Sequence, residues 1–262
     1  MTEKISPRTL VEAFLPFDGE VDLSLIYDTA NEIGIEDQPV RLTVRRLVAA
    51  GEITQRGRGR SGRLELTEAG RDRLSGDRAA VRLVFAQDAG AAPWDGLWRL
   101  LAISAPESRR VVRDAFRRDI VSLGAASCST GLYVTPHDLI PLLSPDVSPY
   151  LVAAEAENLT VRGLDDPQEI VESLWPAQGI IDGYAPLAHA LGAVSESITP
   201  LARRLRLADA LEKALRDDPL IPTELRVGPW EPVHLRRRWL ERWDQLNDSD
   251  GARPIFQGWL PE

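Results

Sequence analysis

Lysine is almost missing from this chain of 262 residues: Lys4 and Lys213 are the only two among 31 basic residues, so arginine carries nearly all the positive charge. Cysteine is scarcer still. Cys128 stands alone and has no internal disulfide partner, which fits a reducing cytoplasm. The three histidines, His137, His189 and His234, form no HxxxH pair, and no CxxC occurs, so the usual zinc spacings are excluded. No apolar run approaches the roughly 20 residues of a membrane span. The opening MTEKISPRTL lacks the apolar core of a secretory leader. A cytoplasmic protein with no membrane partner is expected. The phosphate-cradling G-x-x-x-x-G-K-[ST], the dinucleotide-binding G-x-G-x-x-G and the nucleophile-bearing G-x-S-x-G are all absent. Neither a cofactor nor an enzyme activity is indicated. The formal net charge of -9 argues against wholesale, non-specific nucleic-acid binding.

Against that acidic background stands one cationic island, Asp37–Thr67. It carries Arg41, Arg45, Arg46, Arg56, Arg58, Arg60 and Arg63, and between Val40 and Thr67 only Glu52 and Glu65 oppose them. Contact with nucleic-acid phosphate is the reading that best accounts for such segregation. Residues 1–78 as a whole hold 12 Lys/Arg and 14 Asp/Glu, so any positive field there is local.

The pattern predicts three short helices at the start. Ser6-Pro7 caps the first, Gly34 ends the second, and the third runs from about Pro39 to Gly51. On this third helix Val40, Val44, Leu47 and Val48 are expected on the core face. Leu42, Arg45, Arg46 and Ala49 are expected on the opposite face, with Arg41 on the flank. Glu52–Arg56 and Arg63–Thr67 read as strands joined by the glycine-rich Gly57–Gly62, followed by a helix from Glu68 to Leu74. Helix, helix, helix, hairpin is the order of a winged helix-turn-helix. The fold class is therefore α+β, in three parts. Residues 1–78 form a winged-helix DNA-binding domain. After a linker at 79–93, residues 94–165 form a ferredoxin-like α/β unit, and residues 166–262 form a C-terminal helical domain. In the central unit the pattern predicts strands at Leu97–Ser104, Ala126–Ser129, Leu132–Thr135, Tyr150–Ala154 and Leu159–Gly163. It also predicts a helix over Glu107–Leu123 and a short one over Pro136–Leu143. Phe256 and Trp259 are candidates to dock the tail onto the body.

Several stretches together resemble the PaaX family of bacterial repressors of phenylacetate catabolism. They are Gln38-x-Val40-Arg41-x-x-Val44-x-Arg46-Leu47-Val48-x-x-Gly51, Leu66-Thr67-x-x-Gly70 and Trp94-Asp95-Gly96-x-Trp98-Arg99-x-Leu101. Pro106-Glu107-x-Arg109, Gly131-Leu132-Tyr133-Val134 and Pro136-x-Asp138-Leu139 follow. Then come Trp175, Tyr184 and Asp218-Pro219-x-x-Pro222-x-Glu224-Leu225 before Trp230. The resemblance implies a homodimeric repressor that binds double-stranded operator DNA and is released by a small-molecule effector of the acyl-CoA type, phenylacetyl-CoA in the known cases. Arg226-Val227-Gly228-Pro229 departs from the family, where an acidic residue often stands beside the tryptophan, so the effector and its binding residues stay open.

The candidate DNA-binding residues are Gln38, Arg41, Leu42, Thr43, Arg45, Arg46, Arg56, Arg58, Arg60 and Arg63. Arg45 and Arg46 suit guanine edges or phosphate, Leu42 suits a thymine methyl group, and Thr43 lies nearer the core side. The hairpin arginines suit either the minor groove or phosphate. A competing reading is a metal-dependent nuclease, because the central unit also resembles ferredoxin-like CRISPR-associated nucleases. Those place an aspartate at the end of the first strand, where Ser104 stands here, and a hydroxyl is a poor magnesium ligand.

Overall fold

The computed structural model describes residues 5–192, 199–247 and 255–256. Along the chain the elements are α1 (Pro7–Phe14), β1 (Glu20–Asp22), α2 (Leu23–Glu32), α3 (Asp37–Ala49), β2 (Ile53–Arg56) and β3 (Arg63–Leu66). Next come α4 (Glu68–Asp88), β4 (Trp98–Ile103), α5 (Arg110–Ser122), β5 (Ala126–Ser129), β6 (Leu132–Thr135) and β7 (Leu151–Ala156). The remainder is helical: α6 (Pro167–Leu174), α7 (Ala177–Gly183), α8 (Ala185–Gly192), α9 (Pro200–Leu215) and α10 (Glu231–Asn247). Two antiparallel sheets accompany these helices, so the chain is α+β.

The chain forms two compact units built from interleaved segments. One comprises Met1–Phe85, Pro186–Lys213 and Leu235–Glu262; the other comprises Ala86–Ala185 and Ala214–His234. The helices expected as a separate domain over 166–262 are thus shared between the two. The linker expected at 79–93 is also revised, since α4 runs on to Asp88. Leu74, Arg78, Val81 and Phe85 recur at helical spacing and are all buried, which carries the helix past Ser75-Gly76.

In the first unit, Ser6 caps α1 by accepting from the Arg8 amide at 3.2 Å, with Pro7 at the first helical position. The three-stranded sheet has order β1-β3-β2, with Val21 opposite Leu64 and Ile53 opposite Leu66. β1 was not foreseen: one valine between two acids is too short for an alternation to register. On α3 the core stripe is Val40, Thr43, Val44 and Leu47, the i, i+3, i+4, i+7 set. Val48, expected on that face, is 40% exposed. At the other end of the chain, Trp239 is fully buried, donates to the Leu207 carbonyl at 2.8 Å and stacks on Trp243 at 5.0 Å. Thr9 donates to Asp209 at 3.0 Å and to Glu212 at 3.2 Å, tying α1 to α9. Phe256 does dock, packing on Trp243 and donating its amide to the Ala13 carbonyl at 2.9 Å. Trp259 lies outside the described residues.

In the second unit the sheet order is β5-β6-β4-β7. Alternation along β4 sends Leu101 and Ile103 to one face, where Phe116 and Ile120 of α5 pack with Tyr133, and Trp98 and Leu100 to the other, against Ile170, Val171 and Trp175 of the α6 region. The second crossover is made of 3-10 turns, Ile140–Leu142 and Pro145–Tyr150, in place of the short helix expected over Pro136–Leu143. Prolines at 141, 145 and 149 withhold the backbone donors an α-helix needs. The strand expected over Leu159–Gly163 reduces to a bridge between Val161 and Leu164, turned by Arg162 (φ 53) and Gly163 (φ 87). Among the described residues no helix is long and apolar enough to cross a membrane.

Candidate nucleic-acid interface

The exposed side of α3 carries Gln38, Arg41, Leu42, Arg45 and Arg46. Arg41 and Arg45, like Leu42 and Arg46, are one turn apart and so neighbours on the surface. From Gln38 to Arg46 the rise is about 12 Å at 1.5 Å per residue, close to the roughly 12 Å width of a DNA major groove. Leu42 is 43% exposed, a large apolar side chain left in solvent among cations. Thr43 is only 9% exposed and belongs to the core stripe, so of the α3 candidates it alone faces inward.

The hairpin places its arginines differently. Arg56 pairs with Glu20 at 2.9 Å and with Glu65 at 3.7 Å. Arg63 pairs with Asp22 at 3.0 Å and with Glu20 at 3.5 Å. Arg60 folds back onto α2, where it pairs with Asp28, reaches Asp37 at 3.5 Å and lies over the Tyr27 ring at 5.5 Å. Three cations therefore face five carboxylates. Arg41, Arg45, Arg46 and Arg58 make no ion pair with the described residues. The island divides into four arginines open to solvent and three engaged within the protein. Reading along the chain missed this because the acids lie far away: Glu20 is 36 residues from Arg56, and Asp28 is 32 from Arg60. Exposed pairs of this kind are worth about 0–1 kcal/mol each, so a phosphate can displace them.

Gly70 fixes the hairpin to α4. A Cβ there would lie 1.9 Å from the Glu52 carbonyl oxygen. Thr67 donates its amide to the same carbonyl at 3.0 Å, and its hydroxyl accepts from the Gly70 amide at 3.0 Å. The start of β2 and the start of α4 are thereby held in close register.

Elsewhere the residues carry less. The arginines of α5 line a solvated face, with Arg110 paired to Asp114 at 3.4 Å and Arg113 to Glu107 at 3.1 Å. Ser104 follows β4 directly and donates its amide to the Tyr150 carbonyl at 2.8 Å. Among the described residues no three His, Cys, Asp or Glu side chains gather in a group that could hold a metal ion. Burial pushes the Cys128 thiol above its ordinary range.

Residues 91–171 match the family described as "PaaX protein central Cas2-like domain". The resemblance to PaaX carried by the sequence motifs is thereby supported across the central segment. Among solved structures the chain is similar to "Uncharacterized protein Rv0674 from Mycobacterium tuberculosis", with 19% identity and a TM-score of 0.59 over 91% of this chain and 92% of that one. At that identity the likeness concerns the fold. No curated protein sequence matches.

Proposed function

We infer that this chain is a PaaX-type transcriptional regulator and that residues 1–85 contain a winged helix that reads double-stranded DNA. The observation that carries this reading is the solvent-facing set Arg41, Leu42, Arg45 and Arg46 on α3, unpaired among the described residues and followed at once by a glycine-rich hairpin. The order α1-β1-α2-α3-β2-β3, with β1 completing the hairpin sheet, supports it.

In this reading α3 enters the major groove. Arg45 and Arg46 meet guanine O6 and N7 or the flanking phosphates, and Leu42 touches a thymine methyl group. Arg58, at the hairpin tip, meets phosphate or the minor groove. Arg56, Arg60 and Arg63 join only where a phosphate displaces their carboxylates. Two copies bind an inverted repeat whose half-sites lie about one helical turn apart or a multiple of it. The PaaX resemblance adds repression as the outcome and an acyl-CoA-type effector as the release signal. A 100-fold loss of operator affinity on release needs about 2.7 kcal/mol of coupling.

Footprinting and gel-shift assays on the DNA upstream of the chain's own gene test the reading. With four unpaired arginines per protomer, log K for a dimer should fall against log salt with a slope near about −7. The double change Arg45→Ala and Arg46→Ala should weaken specific binding by about 2–6 kcal/mol. Binding that is indifferent to both changes would refute the role given to α3.

A further inference from the structure

Arg226 is 5% exposed, in the segment between α9 and α10. Its Nη1 donates to the Trp175 carbonyl at 2.8 Å, and its guanidinium lies over the Trp230 ring at 4.5 Å. Its Nε and Nη2 are buried and have no acceptor. These two atoms form one edge of the guanidinium, with N–H bonds that point the same way, and this is the edge that takes two oxygens of a carboxylate or phosphate at once.

The nearby carboxylates do not fill it. Asp218 accepts from the Tyr184 hydroxyl at 2.6 Å and from the Leu220 amide at 2.8 Å. Glu172 accepts from the Ala177 amide at 3.1 Å and 3.2 Å, and neither acid forms an ion pair with Arg226. Burial pulls the guanidinium below its ordinary range, while Asp218 and Glu172 act at longer range in the opposite sense. A buried charge with two idle donors is costly to the ligand-free fold. The surroundings are aromatic and apolar: Trp175 is buried, Trp230 half-buried, and Ile221 and Leu225 belong to the adjoining core. The neighbours Val227, Gly228 and Pro229 are exposed, so the chain reaches the surface one residue beyond Arg226.

We propose that Arg226 is the anchor of a ligand site in the second unit, taking the oxyanion of a small molecule with an aromatic or apolar body on its Nε–Nη2 edge. Trp230 stacks on the face of the guanidinium and borders the apolar body. The site gives the proposed effector response a location, and it stands on Arg226 whether or not the DNA reading holds.

The test uses the full chain at constant ionic strength with three probes: benzoate, phenyl phosphate and uncharged benzyl alcohol. Calorimetry and thermal melts are run up to about 10 mM, well above a weak dissociation constant of about 1 mM. Benzoate or phenyl phosphate should bind saturably and raise the melting temperature, and benzyl alcohol should not; which anion binds more tightly separates a carboxylate reader from a phosphate reader. Arg226→Met should weaken the anion about 10- to 100-fold. Without ligand its melting temperature sets the baseline for the variant, since the change removes the idle buried charge but also the bond to the Trp175 carbonyl. Trp230→Leu, which leaves the guanidinium in place, should weaken benzoate more than acetate. No saturable anion binding by the wild-type chain, or equal binding by folded Arg226→Met, would each overturn the site and make Arg226 structural. Gel shifts on DNA are scored separately, so failure here leaves the DNA reading standing, and the reverse.

Discussion

Gly70 and Gly76 lie in the same helix and make opposite demands. At Gly70 an added methyl would meet the Glu52 carbonyl, so Gly70→Ala must move backbone and should cost about 1–3 kcal/mol or more, read as a lower denaturation midpoint. At Gly76 a Cβ meets nothing within 4 Å, and Gly76→Ala should raise the midpoint by up to about 1 kcal/mol through helix propensity alone. His137 ties stability to pH just below neutrality. Burial holds its imidazole below the ordinary range, and its Nε2 faces the Leu220 carbonyl at 2.9 Å. Above the unfolded value of about 6.5 both states are neutral and the residue has no effect. As pH falls through that value the unfolded chain takes up a proton that the folded one resists, so stability declines and continues to do so until the folded value is reached. His137→Gln should flatten the fall in melting temperature between about pH 7.5 and pH 5.5; an unchanged slope would mean that other groups set it.

At the scale of elements, α3 and the hairpin divide the work that charge alone suggested they share. The hairpin arginines Arg56, Arg60 and Arg63 are held by Glu20, Asp22, Asp28, Asp37 and Glu65, so only part of the hairpin's positive charge is on offer. The double change Asp28→Asn and Asp37→Asn should release Arg60 from both carboxylates, alter stability by no more than about 2 kcal/mol, and steepen the salt slope by about 0.9 per protomer in a gel-shift series. How much of this region was legible from sequence follows from distance along the chain. The arginines of α3 were placed on its outer side by helical periodicity alone. The inner stripe was placed less well: the i, i+3, i+4, i+7 set takes in Thr43 and leaves Val48 at the edge, but the polarity of threonine and the hydrophobicity of valine argued the other way. The acids that pair the hairpin were not readable, because β1 is three residues long and its partners are some 40 residues away. The idle edge of Arg226 was equally hidden, since one arginine beside a tryptophan in a loop carries no periodic signal.

At the scale of the molecule, the N-terminal segment Met1–Phe85 is only one of the three pieces that make the first unit. That unit's core includes Trp239, Trp243 and Phe256, and α1 is tied to Asp209 and Glu212. Truncating a buried tryptophan to alanine typically costs about 3–5 kcal/mol, a large share of a domain's net stability of about 5–15 kcal/mol. A fragment ending at residue 85 lacks all of these groups. It should show no cooperative thermal transition by circular dichroism and no footprint. A fragment that melts sharply and binds DNA would show that the returning helices are dispensable.

The interleaving of segments has a consequence in time. The ribosome releases α3 and the hairpin long before α10: Trp239 follows Arg63 by about 175 residues, an interval of roughly 9–35 s at ordinary synthesis rates. A half-made chain therefore carries the α3 arginines without part of the core of their unit. On the proposed DNA reading, engagement of an operator would wait until α10 has emerged, and chains still lacking that helix would not compete for the site.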